Sequence, residues 1–197
     1  MKKKVLSIVA VVLVLCCAIG GTLAWLTDKT GEVKNTFSPS DINITLTETP
    51  NTDTDNDGKA DAWKADMIPG FSYTKNPVVT VEDDSVDCYL FVKFEENGNP
   101  STYLTYASTL TAANGWTQGD GTSIPSNVWY RVVKAGDTTK SWNLLDGNTI
   151  AVKDTVTKDN MADAAKAELV YTAYATQLYK SNGVEFTAAK AWANALA

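Results

Sequence analysis

The run DCYLFVKFEE, residues 87–96, sets the tightest limit on what this chain can become. In an extended chain, successive side chains point to opposite faces. Cys88, Leu90, Val92 and Phe94 then share one face, and Tyr89, Phe91 and Lys93 share the other. Both faces begin apolar, so the first half of this strand needs cover from two sides. The segment reads as a central strand, and Cys88 as a packed core thiol.

The same period-two pattern recurs along the chain. In DINITLTE, Ile42, Ile44 and Leu46 point one way, while Asn43, Thr45 and Thr47 point the other. Pro69 and Gly70 make a turn, and Pro77 introduces a strand over residues 78–82. NVWYRVVK, NTIAVKDTV and AELVYTAYATQ read as further strands, with turns at Gly136-Asp137 and Gly147-Asn148. STYLTYASTL reads as a short helix or an irregular excursion, and MADAAKAE as a possible helix start. The tail EFTAAKAWANALA has helical composition, with Thr187 as its N-cap and Ala188, Ala191, Trp192 and Ala195 as a small apolar face. Many short strands joined by polar turns predict a mostly-β fold: a jelly-roll-like β-sandwich with short helical decorations and a C-terminal helix.

Ahead of these strands stands a basic head, Lys2, Lys3 and Lys4, then an apolar run over residues 5–19. The small residues Gly20, Gly21, Thr22 and Ala24 follow. This is the pattern of a secretory signal peptide, residues 1–24, cut between Ala24 and Trp25. A cut before Leu26 is the neighbouring alternative. Left uncut, the same run is long enough to anchor the chain in a bilayer. Cys16 and Cys17 raise a lipoprotein reading, but Leu15 stands where a lipobox wants a small residue.

Losing residues 1–24 removes three lysines and no acid, which moves the net charge from −6 to −9. So acidic a surface repels phosphate backbones and argues against nucleic-acid binding. Cys88 is then the one cysteine left, so the exported domain must rest on its apolar core and not on an internal disulfide. The sequence holds no histidine, which removes the commonest general base and the commonest zinc ligand.

The stretch DTDNDGKADAWK lies in an acidic insertion over residues 50–66. With Asp53 at position 1 of a calcium loop, Asp55, Asp57, the Lys59 carbonyl and Asp61 fall at positions 3, 5, 7 and 9. Gly58 sits at the turn position. Position 12, however, is Lys64 where a bidentate glutamate is expected, and no helix enters the loop. A calcium site and a solvated, turn-rich loop both fit.

Enzyme motifs are missing: there is no GxSxG, no cysteine–histidine pair and no phosphate-cradling glycine loop. Glu95 and Glu96 sit beside turn residues and are expected to face water. A glycosidase using carboxylates from distant strands stays compatible with the sequence. Trp116, Trp129, Trp142 and Trp192 could line a sugar-binding surface, although tryptophans of a sandwich more often fill its core and ends.

Taken together, the leader ending in GGTLAWLTDKT, then NTFSPSDINITLTE, then MIPGFSYTKNPVVTVEDDSVDCYLFVK resembles the TasA and camelysin family of exported Firmicute proteins. The late LVYTAYATQ and FTAAKAW are also similar to short members. The resemblance implies export through a SipW-type signal peptidase and a jelly-roll subunit of extracellular matrix fibres in a Gram-positive bacterium. In that assembly the N-terminal segment of one subunit inserts as a strand into the next. Camelysin members have been described as surface metalloproteases, but a chain without histidine cannot build a histidine-based zinc site such as HExxH.

The residues support the same scheme. Residues 25–38 carry Trp25, Leu26, Val33 and Phe37 among polar neighbours, too little apolar surface to offset the entropy of ordering alone. Against an exposed sheet edge this segment gains backbone hydrogen bonds and side-chain pockets. The expectation is a signal peptide (1–24), a donor-like segment (25–38) and a sandwich domain (39–197) that polymerises with itself, touching a membrane only through an uncut leader. The alternatives are residues 25–38 packing as an ordinary first strand, and a solitary adhesion or calcium-stabilised binding module.

Overall fold

The computed structural model describes residues 41–49, 65–180 and 183–197, all within one compact unit, Ser40–Ala197. Its ten strands are β1 (Ile44–Thr47), β2 (Ser72–Thr74), β3 (Val78–Val81), β4 (Cys88–Asn97), β5 (Leu104–Thr105), β6 (Thr117–Gln118), β7 (Val128–Val133), β8 (Ser141–Asn143), β9 (Thr149–Val152) and β10 (Glu168–Gln177). Among the described residues three α-helices accompany them: α1 (Pro100–Tyr103), α2 (Met161–Ala164) and α3 (Ala188–Ala195). The fold is mostly β with a C-terminal helix.

The strands form three antiparallel sheets, ordered β1-β3-β8, β10-β4-β7-β6 and β2-β9-β5. β4 is the spine of the middle sheet, paired with β10 along ten residues and with β7 along six. Its even-numbered face, Cys88, Leu90 and Val92, meets Val79 and Val81 of β3 together with Leu144 and Trp116. Two sheets therefore enclose one core. Its odd-numbered face presents Tyr89 and Phe91 to α3. The two-sided cover that the apolar start of β4 demands is supplied by a sheet and a helix. Cys88 is 0 % exposed, and burial pushes its thiol up to about 11.

α3 starts where Thr187 caps it, its hydroxyl accepting the Lys190 N–H at 3.3 Å. Ala191 and Trp192 are buried, with Ala188 and Ala195 packed beside them. The Trp192 ring centroid lies 5.2 Å from Phe91 and 5.2 Å from Tyr174, which pins the helix across β4 and β10. A third cluster, Leu104, Val152, Val156 and Ala164, holds the small third sheet to α2. The turn leaving β4 needs Gly98: its φ is +68°, and a Cβ there would stand 2.1 Å from the Lys166 carbonyl oxygen.

One apolar residue departs from expectation. Ile42 and Ile44 pack against the core, but Leu46, on the same face, stays 38 % exposed. It lies on β1, an edge strand whose Cα atoms come within 8 Å of β10, the edge strand of the facing sheet. Among the described residues, β1 and β10 approach on this flank without pairing.

Candidate functional site

Every residue singled out in the leader, the donor segment and the acidic loop lies outside the described residues. This holds for Ala24, Trp25, Leu26, Val33 and Phe37, and for Asp53, Asp55, Asp57, Lys59 and Asp61. The described residues hold no group of three Cys, Asp or Glu side chains placed to bind a metal.

The other candidate residues resolve into packing or mutual pairing. Glu95 sits 2.8 Å from the Lys93 ammonium, and Glu96 accepts the Tyr106 hydroxyl, on opposite faces of β4. Trp116 and Trp192 are 2 % and 6 % exposed, and Trp129 and Trp142 pack half-buried against the core. Between Trp142 and Trp116 lies the Arg131 guanidinium, 4.3 Å and 5.0 Å from their ring centroids. The rings supply cation–π partners for this half-buried cation. Burial draws the Arg131 pKa down.

A shallow cleft of about 330 Å³ is lined by Val86, Asp87, Ala135, Gln177 and Tyr179. Asp87 and Tyr179 are both bonded within the protein. Asp87 accepts the Ala135 N–H at 2.8 Å, chiefly for which its carboxyl is held below the usual range, and Lys134 reaches the Tyr179 hydroxyl at 2.8 Å.

The side of β10 away from β4, unpaired among the described residues, is different. Backbone groups of a strand point alternately to its two neighbours. Phe94 donates its N–H to Asn127 at 2.9 Å, on the β7 side, and Leu178 donates to Asp87 at 2.9 Å, on the β4 side. Carried through the register, Val170, Thr172, Tyr174 and Thr176 bond to β4. Leu169, Tyr171, Ala173 and Ala175 turn their N–H and C=O groups outward. No described residue pairs with them. The same phase on β1, set by Glu82 N–H to Asn43 O at 2.8 Å, turns Ile44 and Leu46 outward beside them.

Proteins that keep an edge solitary interrupt it with charge, proline or a bulge. From residue 169 to 177, β10 carries no charged residue and no proline, and its ten pairs with β4 run without a bulge. Tyr171 adds a second open valence. Its ring stacks on Phe94 at 4.7 Å, yet its buried hydroxyl has no hydrogen-bond partner among the described residues. Burial raises its pKa first, and the nearby Tyr106, Glu48 and Glu96 raise it further. A buried, unpaired hydroxyl costs about 1–3 kcal/mol until something bonds it. Among the described residues, this side of β10 has no partner strand.

No family model, curated protein or solved structure matches the chain.

Proposed function

We propose that the chain is a secreted structural protein, a subunit of extracellular fibres at the cell surface or in a biofilm matrix. Each copy donates its N-terminal segment, residues 25–38, to the open β10 edge of the next. The observation that carries this reading is the uninterrupted edge of β10, with outward backbone groups at Leu169, Tyr171, Ala173 and Ala175. The leader and the resemblance to the TasA and camelysin family support it from the sequence. Each strand hydrogen bond made at this edge is worth about 0.5–1.5 kcal/mol net. Donor and acceptor are different surfaces, so the contact does not close on itself and propagates. While the leader is attached the donor stays tied to the membrane, and cutting after Ala24 frees it.

Electron microscopy of the protein expressed with its leader and recovered after processing tests the reading. Fibres that lengthen with protein concentration are expected, and deleting residues 25–37 abolishes them. Fibres that grow at the same rate without those residues refute the donor role. A protein that stays monomeric at every concentration is a solitary adhesion or binding module instead.

A further inference from the structure

An asparagine followed by glycine can modify itself. The glycine backbone nitrogen attacks the asparagine Cγ, a C–N bond forms, and the Cγ–Nδ2 bond breaks. The glycine proton passes to the leaving nitrogen, which departs as ammonia. Water then opens the cyclic imide at either carbonyl, giving aspartate or isoaspartate. Glycine favours closure because no Cβ crowds the attacking nitrogen. Two such steps lie among the described residues, Asn97-Gly98 and Asn114-Gly115. Both are exposed, so access of water does not separate them. Hydrogen bonding does.

At Asn114-Gly115 the reacting groups are tied. The Gly115 N–H donates to the Ala112 carbonyl at 3.0 Å, and the Asn114 carboxamide donates to the Thr109 carbonyl at 2.9 Å. The attacking nitrogen and the amide it must reach are each held by the turn. At Asn97-Gly98 the Gly98 N–H has no acceptor among the described residues. Asn97 is the last residue of β4, paired with Glu168 at the end of the ladder, where strands fray first. Gly98 follows outside the strand, with φ +68°. The Asn97 carboxamide donates one hydrogen bond, to the Glu168 carboxylate at 3.2 Å. Asn99 is barred from the reaction, because Pro100 follows it and carries no N–H.

We propose that Asn97 is a self-modification site, converting to aspartate and isoaspartate in the folded protein while Asn114 is kept intact. The inference stands apart from the fibre reading. Its product falls where β4 and β10 end together. Asn97 lies directly opposite Glu168, and conversion replaces a carboxamide donor with a second carboxylate. Like charges directly opposite destabilise a strand pair. Isoaspartate also adds a methylene to the backbone just before Gly98, where even a Cβ would stand 2.1 Å from the Lys166 carbonyl oxygen. Modification therefore loosens this end of the ladder.

Peptide mapping by mass spectrometry, after the folded protein has been held at pH 9, reads both sites in one sample. The Asn97 peptide should gain the acidic products at least about ten times faster than the Asn114 peptide, whose hydrogen bonds must break first. In concentrated urea the two peptides should convert at similar rates. Equal rates in the folded protein, or a faster Asn114, overturn the inference. So does an Asn97 peptide that stays unmodified in the folded protein while it converts in urea. The same gap in urea as in the folded protein overturns selection by the fold. Asn97→Gln should erase the acidic species that ageing of the parent produces on ion exchange. Asn97→Asp should unfold at lower urea than the parent, and an unchanged midpoint overturns the coupling to β10.

Discussion

Two proline substitutions one residue apart separate the two sides of β10. Thr172 points its N–H at β4, opposite Lys93, whereas Ala173 points its N–H outward. Thr172→Pro removes a ladder hydrogen bond, worth about 0.5–1.5 kcal/mol, and strands the partner carbonyl, at a further cost of about 1–3 kcal/mol. The monomer should lose about 1.5–4.5 kcal/mol. Ala173→Pro removes a donor with no partner among the described residues, at an edge where proline is tolerated. Its cost to the monomer should stay within about 1 kcal/mol, partly offset by the stiffer unfolded chain. Urea titration of dilute protein, followed by tryptophan fluorescence, measures both. Assembly should invert the ranking, because proline at Ala173 blocks the incoming strand in mid-edge. If Ala173→Pro costs the monomer as much as Thr172→Pro, the outer side of β10 is already paired within one chain, and the open-edge reasoning is wrong.

Other sites give independent checks. Phe91→Ala empties a position packed by Tyr130 at 5.7 Å and Trp192 at 5.2 Å and should cost about 3–5 kcal/mol of stability by urea titration, with α3 loosened first. Asp120 Oδ1 accepts the N–H groups of Ile124, Thr122 and Ser123 at 2.9, 2.9 and 2.7 Å, and these bonds hold its carboxyl below the ordinary 3.8. Its contribution is therefore present above 3.8 and lost as pH falls through the lowered value. Asp120→Ala should be less stable than the parent at neutral pH, and the difference should shrink in acid. Cys88 should react with a thiol reagent at pH 8 only at the rate of unfolding; prompt labelling without denaturant would contradict its burial.

What could be read from residue order was local. The two-faced apolar start of β4, the alternation of β10 and the Thr187-led helix each carry their signal within a dozen residues, and each forms where expected. β6 and β8, of two and three residues, are too short to show a period, and their strands exist because β7 and β3 offer partners. Arg131 breaks the pattern of β7: pairing with Leu90 places a cation toward the core side, where two tryptophan rings hold it. Local charge patterning expects such a residue in water. Leu46 looked like a core residue because its face was right, but its exposure depends on which strand lies next to β1. The edge position of β10 was hidden for the same reason. Among the described residues β10 is an edge because no further strand pairs with it, and that belongs to topology.

Residue-resolved hydrogen exchange, comparing monomer with fibre, meets the central claim head-on. The amides of Leu169, Tyr171, Ala173 and Ala175 should exchange quickly in the monomer and become protected in the fibre, while those of Val170, Thr172, Tyr174 and Thr176 are protected in both. Outward amides that exchange as fast in the fibre as in the monomer would show that β10 does not receive the strand that joins the subunits.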